Sequence, residues 1–303
     1  MPPVLLHPGF VKTATTSLQR NLLAAHPAIL HLGRPAPDAG LERAIHAIAH
    51  DDSTVYDEAA VRRVLEDALA AAGRHRVVTL SNENFALYEA TDRRVVAERL
   101  ARLFPRARVL FTIRRQDELL GAWYLQKLEK YLKGGHFVPF PTWVAMKARE
   151  PHKSIFSDLD FWPVVRTYVE LFGRDRVHVL PFERLREDPA GFAGELAGLL
   201  ALPADEVRAA LGRRVRNPTL TREYRAVMRV VGRLLTPWLA RKIGNRLVHL
   251  PGRRLRVTVD EATRRRIHRC CAAGNAALAR TFGLDLARYG YPLPEDGSVS
   301  SAR

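Results

Sequence analysis

Cysteine and long apolar runs are what this sequence most plainly lacks. Cys270 and Cys271, adjacent to each other, are its only thiols. An adjacent pair provides neither a disulfide framework nor the roughly four spaced ligands that tetrahedral zinc takes, so both read as helix core. No stretch approaches the roughly 18 consecutive apolar residues of a membrane-spanning helix. The first apolar run, Val4-Leu5-Leu6, is too short, and too soon followed by a glycine loop, for a signal peptide. A soluble, cytoplasmic protein is expected. Acidic residues are scarce as well: 32 Asp and Glu stand against 48 Lys and Arg, a formal charge of +16 over 303 residues. That excess favours anionic partners in general, whether a nucleotide, a sulfated or phosphorylated ligand, nucleic acid or an acidic membrane surface.

What is present is a regular alternation. Four short apolar or β-branched runs have the character of buried parallel strands: residues 4 to 7, "VVTLS" at 77 to 81, "RVLFTIR" at 108 to 114 and "RVHVLPF" at 176 to 182. Helical patterns separate them, such as "ATTSLQRNLLAAH" after the first and "AVRRVLEDALAAAG" before the second. This predicts an α/β fold in three layers, a central parallel sheet with helices on both faces and ligands beyond the carboxyl ends of the strands. Beyond about residue 190 the pattern turns helical, which predicts a helical C-terminal cap. No repeat or low-complexity linker divides the chain, so residues 1 to 295 read as one domain and 296 to 303 as a frayed tail.

The chemistry should therefore gather just after residues 7, 81, 114 and 182. The first of these places holds "HPGFVKTATTSLQR", residues 7 to 20. A strand running through a glycine turn into a threonine-rich helix start presents free backbone N–H groups at the positive end of a helix, which is an anion site by construction. Aligned to the phosphate-loop pattern G-x-x-x-x-G-K-[ST], the frame fits, but Thr15 stands where ATP- and GTP-using loops have lysine. The lysine lies three residues earlier, as Lys12. None of the four strands ends in the aspartate that would hold magnesium from a second side. The loop suits a smaller anionic group that needs no metal, such as a sulfuryl group on a 5′-phosphate.

These residues resemble the sulfotransferases that use 3′-phosphoadenosine 5′-phosphosulfate (PAPS), whose loop reads P-K-[ST]-G-T-[TS]. Here it is Val11-Lys12-Thr13-Ala14-Thr15-Thr16, followed by Ser17-Leu18-Gln19, with Val11 for proline and Ala14 for glycine. An alanine at that turn fits if its φ is negative. "RVLFTIRRQDELLGAWYLQ", residues 108 to 126, is similar to the family's second nucleotide motif, an arginine at a strand end and a serine eight residues on. Arg114 matches the arginine, and Ala122 stands at the serine position. "RTYVELFGRDRVHVLPFERLREDPAGF" and "RRVRNPTLTREY" resemble later stretches of the family, so the likeness spans about residues 4 to 290.

The resemblance implies PAPS as co-substrate and no metal, with sulfuryl transfer in line onto an acceptor hydroxyl or amine. It implies a 5′-phosphosulfate held by Lys12, Thr13, Ala14, Thr15, Thr16 and Ser17, and a 3′-phosphate held by Arg114 with help from Arg216 or its neighbours Arg213 and Arg214. Glu83, two residues past the second of the four strands, stands where a general base belongs. It reads equally as a carboxylate paired with Lys12 or an arginine. His7 reads as a residue that either orients backbone or takes protons, and His136 as part of an aromatic-rich acceptor region over 127 to 160. The arginine-dense stretch from 213 to 256, interleaved with Leu, Val and Trp238, reads as a solvated basic face, a membrane-surface contact or a cover for the 3′-phosphate. Expected partners are a nucleotide and a small-molecule, glycan or lipid acceptor, with no specific nucleic acid. Two other readings stay open: a nucleotide-dependent kinase with a degenerate loop, and an inactive anion-binding protein of the same fold.

Overall fold

The five-stranded parallel sheet is built from runs buried on both sides, and the alternation of side chains along each strand fixes which layer each residue joins. In the computed structural model, described for residues 2–295 apart from Tyr88, Ala90, Thr91, 214–219 and Leu250, the strands are β1 (Val4–His7), β2 (Ile29–His31), β3 (Val77–Ser81), β4 (Arg108–Ile113) and β5 (Val177–Pro181), in spatial order β2-β3-β1-β4-β5. Arg214, Arg216 and the tail from 296 to 303 lie outside the described residues. Register is set by pairs such as Leu6 with Leu80, Leu5 with Arg108 and Phe111 with Val179. β2 is an addition to the expected set. Its three residues are too few for periodicity to reveal, yet Ile29 pairs with Val77 and extends the sheet beyond β3.

Leu6, Val78, Leu80, Val109, Phe111 and Val179 face one layer. That layer contains α2 (Ala39–His50), α3 (Glu58–Ala70), α4 (Arg93–Leu103), α5 (Gln116–Lys133) and α8 (Trp162–Phe172), together with α14 (Glu261–Phe282). Leu5, Val77, Leu110 and Leu180 face the other layer, where they meet Leu18, Leu22 and Leu23 together with α10 (Pro189–Leu200) and α11 (Ala204–Gly212). Between β1 and β2, α1 (Thr15–Ser17) continues as a π-helical turn over Leu18–Leu23. The short α6 (Phe140–Lys147), α7 (Phe156–Leu159) and α9 (Arg184–Glu187) connect larger elements, and α12 (Arg222–Leu234) and α13 (Pro237–Leu247) form a helical pair against α5. The expected α/β three-layer architecture with a helical C-terminal part is what the chain adopts.

The region from 127 to 160 differs from expectation. It is largely helical, and Phe140, Trp143 and Phe156 are buried in the core while Tyr131 and Phe137 are half-buried; Tyr124, just before the region, meets Phe140 edge to face at 5.1 Å between ring centroids. His136 is exposed and away from the main cleft. Cys271 is buried in α14 and Cys270 half-buried beside it, as helix core requires. Among the described residues no helix is long and apolar enough to cross a membrane.

Candidate functional site

The carboxyl ends of β1, β3 and β4 open into one cleft of about 960 Å³. The loop after β1 enters it through three left-handed residues. Gly9 has φ 55°, and a Cβ there would come within 2.9 Å of Thr15 Cγ2. Lys12 and Ala14 have φ 64° and 66°, conformations that cost an L-residue roughly 1–2 kcal/mol. Ala14 therefore does not take the negative φ that alanine prefers. It adopts the backbone that glycine, its counterpart in the resembling motif, accepts freely. Tertiary contacts hold the turn: Arg114 donates to the Lys12 carbonyl at 3.1 Å, and the buried Thr13 hydroxyl donates to the Phe10 carbonyl at 2.6 Å while sharing a 2.7 Å bond with Thr112. Ala14→Gly should relieve the strain and, after the entropy cost of glycine, stabilise the fold by about 0.5–1 kcal/mol. Urea unfolding would show a higher midpoint with an unchanged slope.

After the turn, the first backbone bonds of the helical segment run from the Ser17 and Leu18 amides to the Ala14 carbonyl. Ala14, Thr15 and Thr16, whose amides precede them, line the cleft. Lys12, Ala14, Thr15, Thr16 and Ser17 line the cleft together with Arg114. The Thr13 side chain does not; it is 1% exposed and bonded inward, so its part is to hold the turn. The Lys12 ammonium forms no ion pair among the described residues. Its pKa is lowered, first by burial and then by Arg114, with only partial compensation from Glu129 and Glu83.

Arg114 is held at the β4 end by Glu118, one turn along α5, at 2.7 Å, with its guanidinium over the Phe182 ring. Burial alone would raise the Glu118 carboxyl, but the bonds from Arg114 and the charges of Arg115 and Arg186 hold it below the usual carboxylate range. Arg115 pairs with Asp117 at 2.7 Å and with Glu118 at 3.2 Å, and lines a second hollow beside α14 rather than the cleft. Ala122 is half-buried and does not line the cleft either.

Glu83 begins a short 3-10 turn after β3, capped by Asn82. It forms no ion pair among the described residues, so the pairing with Lys12 or an arginine is not made. Instead, its Oε1 accepts from the Thr15 hydroxyl at 2.5 Å and its Oε2 from Gln19 Nε2 at 3.4 Å. The same Gln19 nitrogen donates to Ser81 Oγ at 3.0 Å, and Ser81 lies 2.8 Å from His7 Nδ1. Burial lowers the His7 pKa to about 4, with a smaller raising effect from Glu83 and a smaller lowering one from His31. Near neutrality His7 is an uncharged ring that ties β1 to β3 and β4. A chain of four side chains thus aims one carboxylate into the cleft.

Three contributors escaped the sequence reading. Gln19 is four residues from Thr15 on the same helical face, the one signal that pointed to it. The opposite wall comes from the β2 turn, Gly33 to Ala36, and from Ile45 and His46 of α2; at Gly33 a Cβ would lie 2.3 Å from the Ser81 amide, so only glycine lets this wall close on β3. Arg254 reaches the cleft from the basic stretch, anchored where Thr221 bridges to it. Arg213 stays outside, its carbonyl accepting from Asn21 at 2.7 Å. Among the described residues, Lys12, Arg20, Arg34, Arg114 and Arg254 line the cleft against Glu42 and Glu83. This excess of cations suits a polyanion.

No family model and no curated protein matches the sequence. The fold is similar to that of a sulfotransferase from Alicyclobacillus acidocaldarius, with a TM-score of 0.56 over 95% of this chain and 98% of that one at 18% identity. A sulfotransferase domain from the curacin biosynthetic pathway aligns over 97% of this chain and 99% of its own with a TM-score of 0.46 at 14% identity. The first of these likenesses places the chain in the sulfotransferase fold.

Proposed function

We propose that the protein transfers a sulfuryl group from PAPS to an acceptor hydroxyl or amine, in line and without a metal. The observation that carries this reading is the juxtaposition in one cleft of a Lys12 with no ion pair among the described residues, the threonines Thr15 and Thr16, Arg114, and a Glu83 carboxylate aimed by Thr15 itself. The sulfotransferase fold supports it. In this scheme the helix-start amides, with Thr16 and Ser17, hold the 5′-phosphosulfate, and Arg114, joined by Arg254, holds the 3′-phosphate. As the acceptor oxygen or nitrogen attacks sulfur, Glu83 takes its proton. The bond from sulfur to the bridging oxygen breaks, and Lys12 stabilises the charge that this oxygen gains. Such fixed electrostatic stabilisation acts only as charge develops and so lowers the barrier itself.

Calorimetric titration tests the nucleotide site. Native protein should bind 3′-phosphoadenosine 5′-phosphate (PAP) in the micromolar range with no dependence on magnesium. Arg114→Ala should weaken that binding about tenfold to a hundredfold, the worth of one charge-assisted contact, while leaving the weaker binding of adenosine 5′-monophosphate unchanged. Equal losses for both nucleotides would reduce Arg114 to a support for the Lys12 turn. Binding only of ATP with magnesium would replace the sulfuryl-transfer reading with the kinase one.

A further inference from the structure

Large apolar side chains on a protein surface are ordinary when scattered and informative when gathered. Six stand out as exposed among the described residues, and four of them, Val227, Val230, Leu234 and Trp238, fall on α12 and α13. α12 explains this from its sequence: Tyr224 and Met228 turn inward, while Val227, Val230 and Leu234 follow one another at helical spacing along an adjoining strip left uncovered. Leu234 is 76% exposed and Trp238, at the start of α13, 69%.

The same two helices carry Arg222, Arg225, Arg229, Arg233, Arg241, Lys242 and Arg246 against a single acid, Glu223. None of the seven cations forms an ion pair among the described residues, whereas arginines elsewhere, such as Arg62, Arg94 and Arg102, do. Glu223 accepts instead from the Arg253 amide at 2.9 Å. Lys242 lies over the Trp238 ring at 5.2 Å, so the cation and the exposed indole occupy one spot on the surface.

We propose that α12 and α13 form a docking surface for a bilayer rich in anionic lipid. Charge and shape together select this occupant. A second copy docking through the same face would set seven cations against seven. Nucleic acid would answer the charge but offers no hydrocarbon for Leu234 and the valines. An anionic bilayer answers both, with phosphate at the depth of the arginines and acyl chain beneath, and an indole at the boundary is the side chain that such an interface favours.

Co-sedimentation of the full chain with vesicles tests the proposal. The native protein should pellet with vesicles of phosphatidylcholine containing phosphatidylglycerol and stay in solution with phosphatidylcholine alone, and added salt should release it. The Leu234→Ser, Trp238→Ser double variant should bind the anionic vesicles at least about tenfold more weakly, since two apolar anchors are lost. Arg233→Glu with Arg241→Glu should abolish binding. All variants should keep the native melting temperature and PAP affinity, because none of these side chains is buried or reaches the cleft. The proposal is overturned if native protein ignores anionic vesicles, or binds neutral ones equally well. It is also overturned if the Leu234, Trp238 variant binds as native does, which would mean charge adsorption alone. Vesicle-independent dimerisation lost in that variant would assign the face to a second copy instead.

Discussion

Lys12→Met is expected to weaken PAP binding by about tenfold or more and to slow turnover of PAPS by about a hundredfold to a thousandfold, while leaving the unliganded protein at least as stable as native. The opposed signs follow from one observation. The Lys12 ammonium is partly buried with no ion pair among the described residues, and burial, then Arg114, lower its pKa. A cation so placed costs the unliganded fold stability and returns it to an anion that binds beside it. In pH terms, the folded pKa lies below the unfolded one, so between the two the unfolded chain binds more protons and the stability of the unliganded protein rises with pH. Ligand affinity runs the other way. It requires the protonated lysine and should fall as pH rises through the depressed pKa, earlier than an ordinary lysine would dictate. Calorimetry across the alkaline range, with melting curves alongside, reads both. A Lys12→Met protein that binds PAP like the native one, or one that has simply unfolded, would remove Lys12 from the proposed mechanism.

The strands and the phosphate loop were legible because their signals are local. Four apolar runs buried on both faces have no reading but sheet, and the order of glycine, lysine and threonines after the first run predicts an anion loop before any tertiary contact is known. The conformation of Ala14 was not legible. Alanine gives no local signal for a positive φ, and the turn is imposed by Arg114 and Thr112, about a hundred residues away in sequence. Thr13 misled for the same reason: its neighbours in sequence face the cleft, but the turn rotates its hydroxyl into the sheet. Phe140, Trp143 and Phe156 are packed in the core, which composition alone does not show, since it does not distinguish a ring that waits for a ligand from one already packed. The opposite wall was invisible because β2 is only three residues long and its Gly33 has meaning only beside Ser81.

Glu83→Gln carries the second large effect, and it separates chemistry from binding. The substitution keeps the size of the side chain and an oxygen that can accept from Thr15, so the β3 end should hold its shape. It removes the negative charge that faces the proposed phosphosulfate, so PAP should bind as tightly as to native protein or more tightly. Turnover, measured with an acceptor found by screening hydroxyl and amine compounds, should fall about a hundredfold to ten-thousandfold, the usual worth of a positioned base. Gln19→Leu offers the graded comparison: it removes one of the two hydrogen bonds that aim Glu83 and leaves the carboxylate in place. It should lower kcat by less than Glu83→Gln, because the carboxylate itself stays in place and only its aim is loosened. If Glu83→Gln retained native turnover, the carboxylate would be a partner of Thr15 and nothing more, and the proton would have to leave by another route. If both variants lost PAP binding together with turnover, the Thr15, Gln19 and Glu83 chain would be holding the loop in shape, and the catalytic assignment would pass to Lys12 alone.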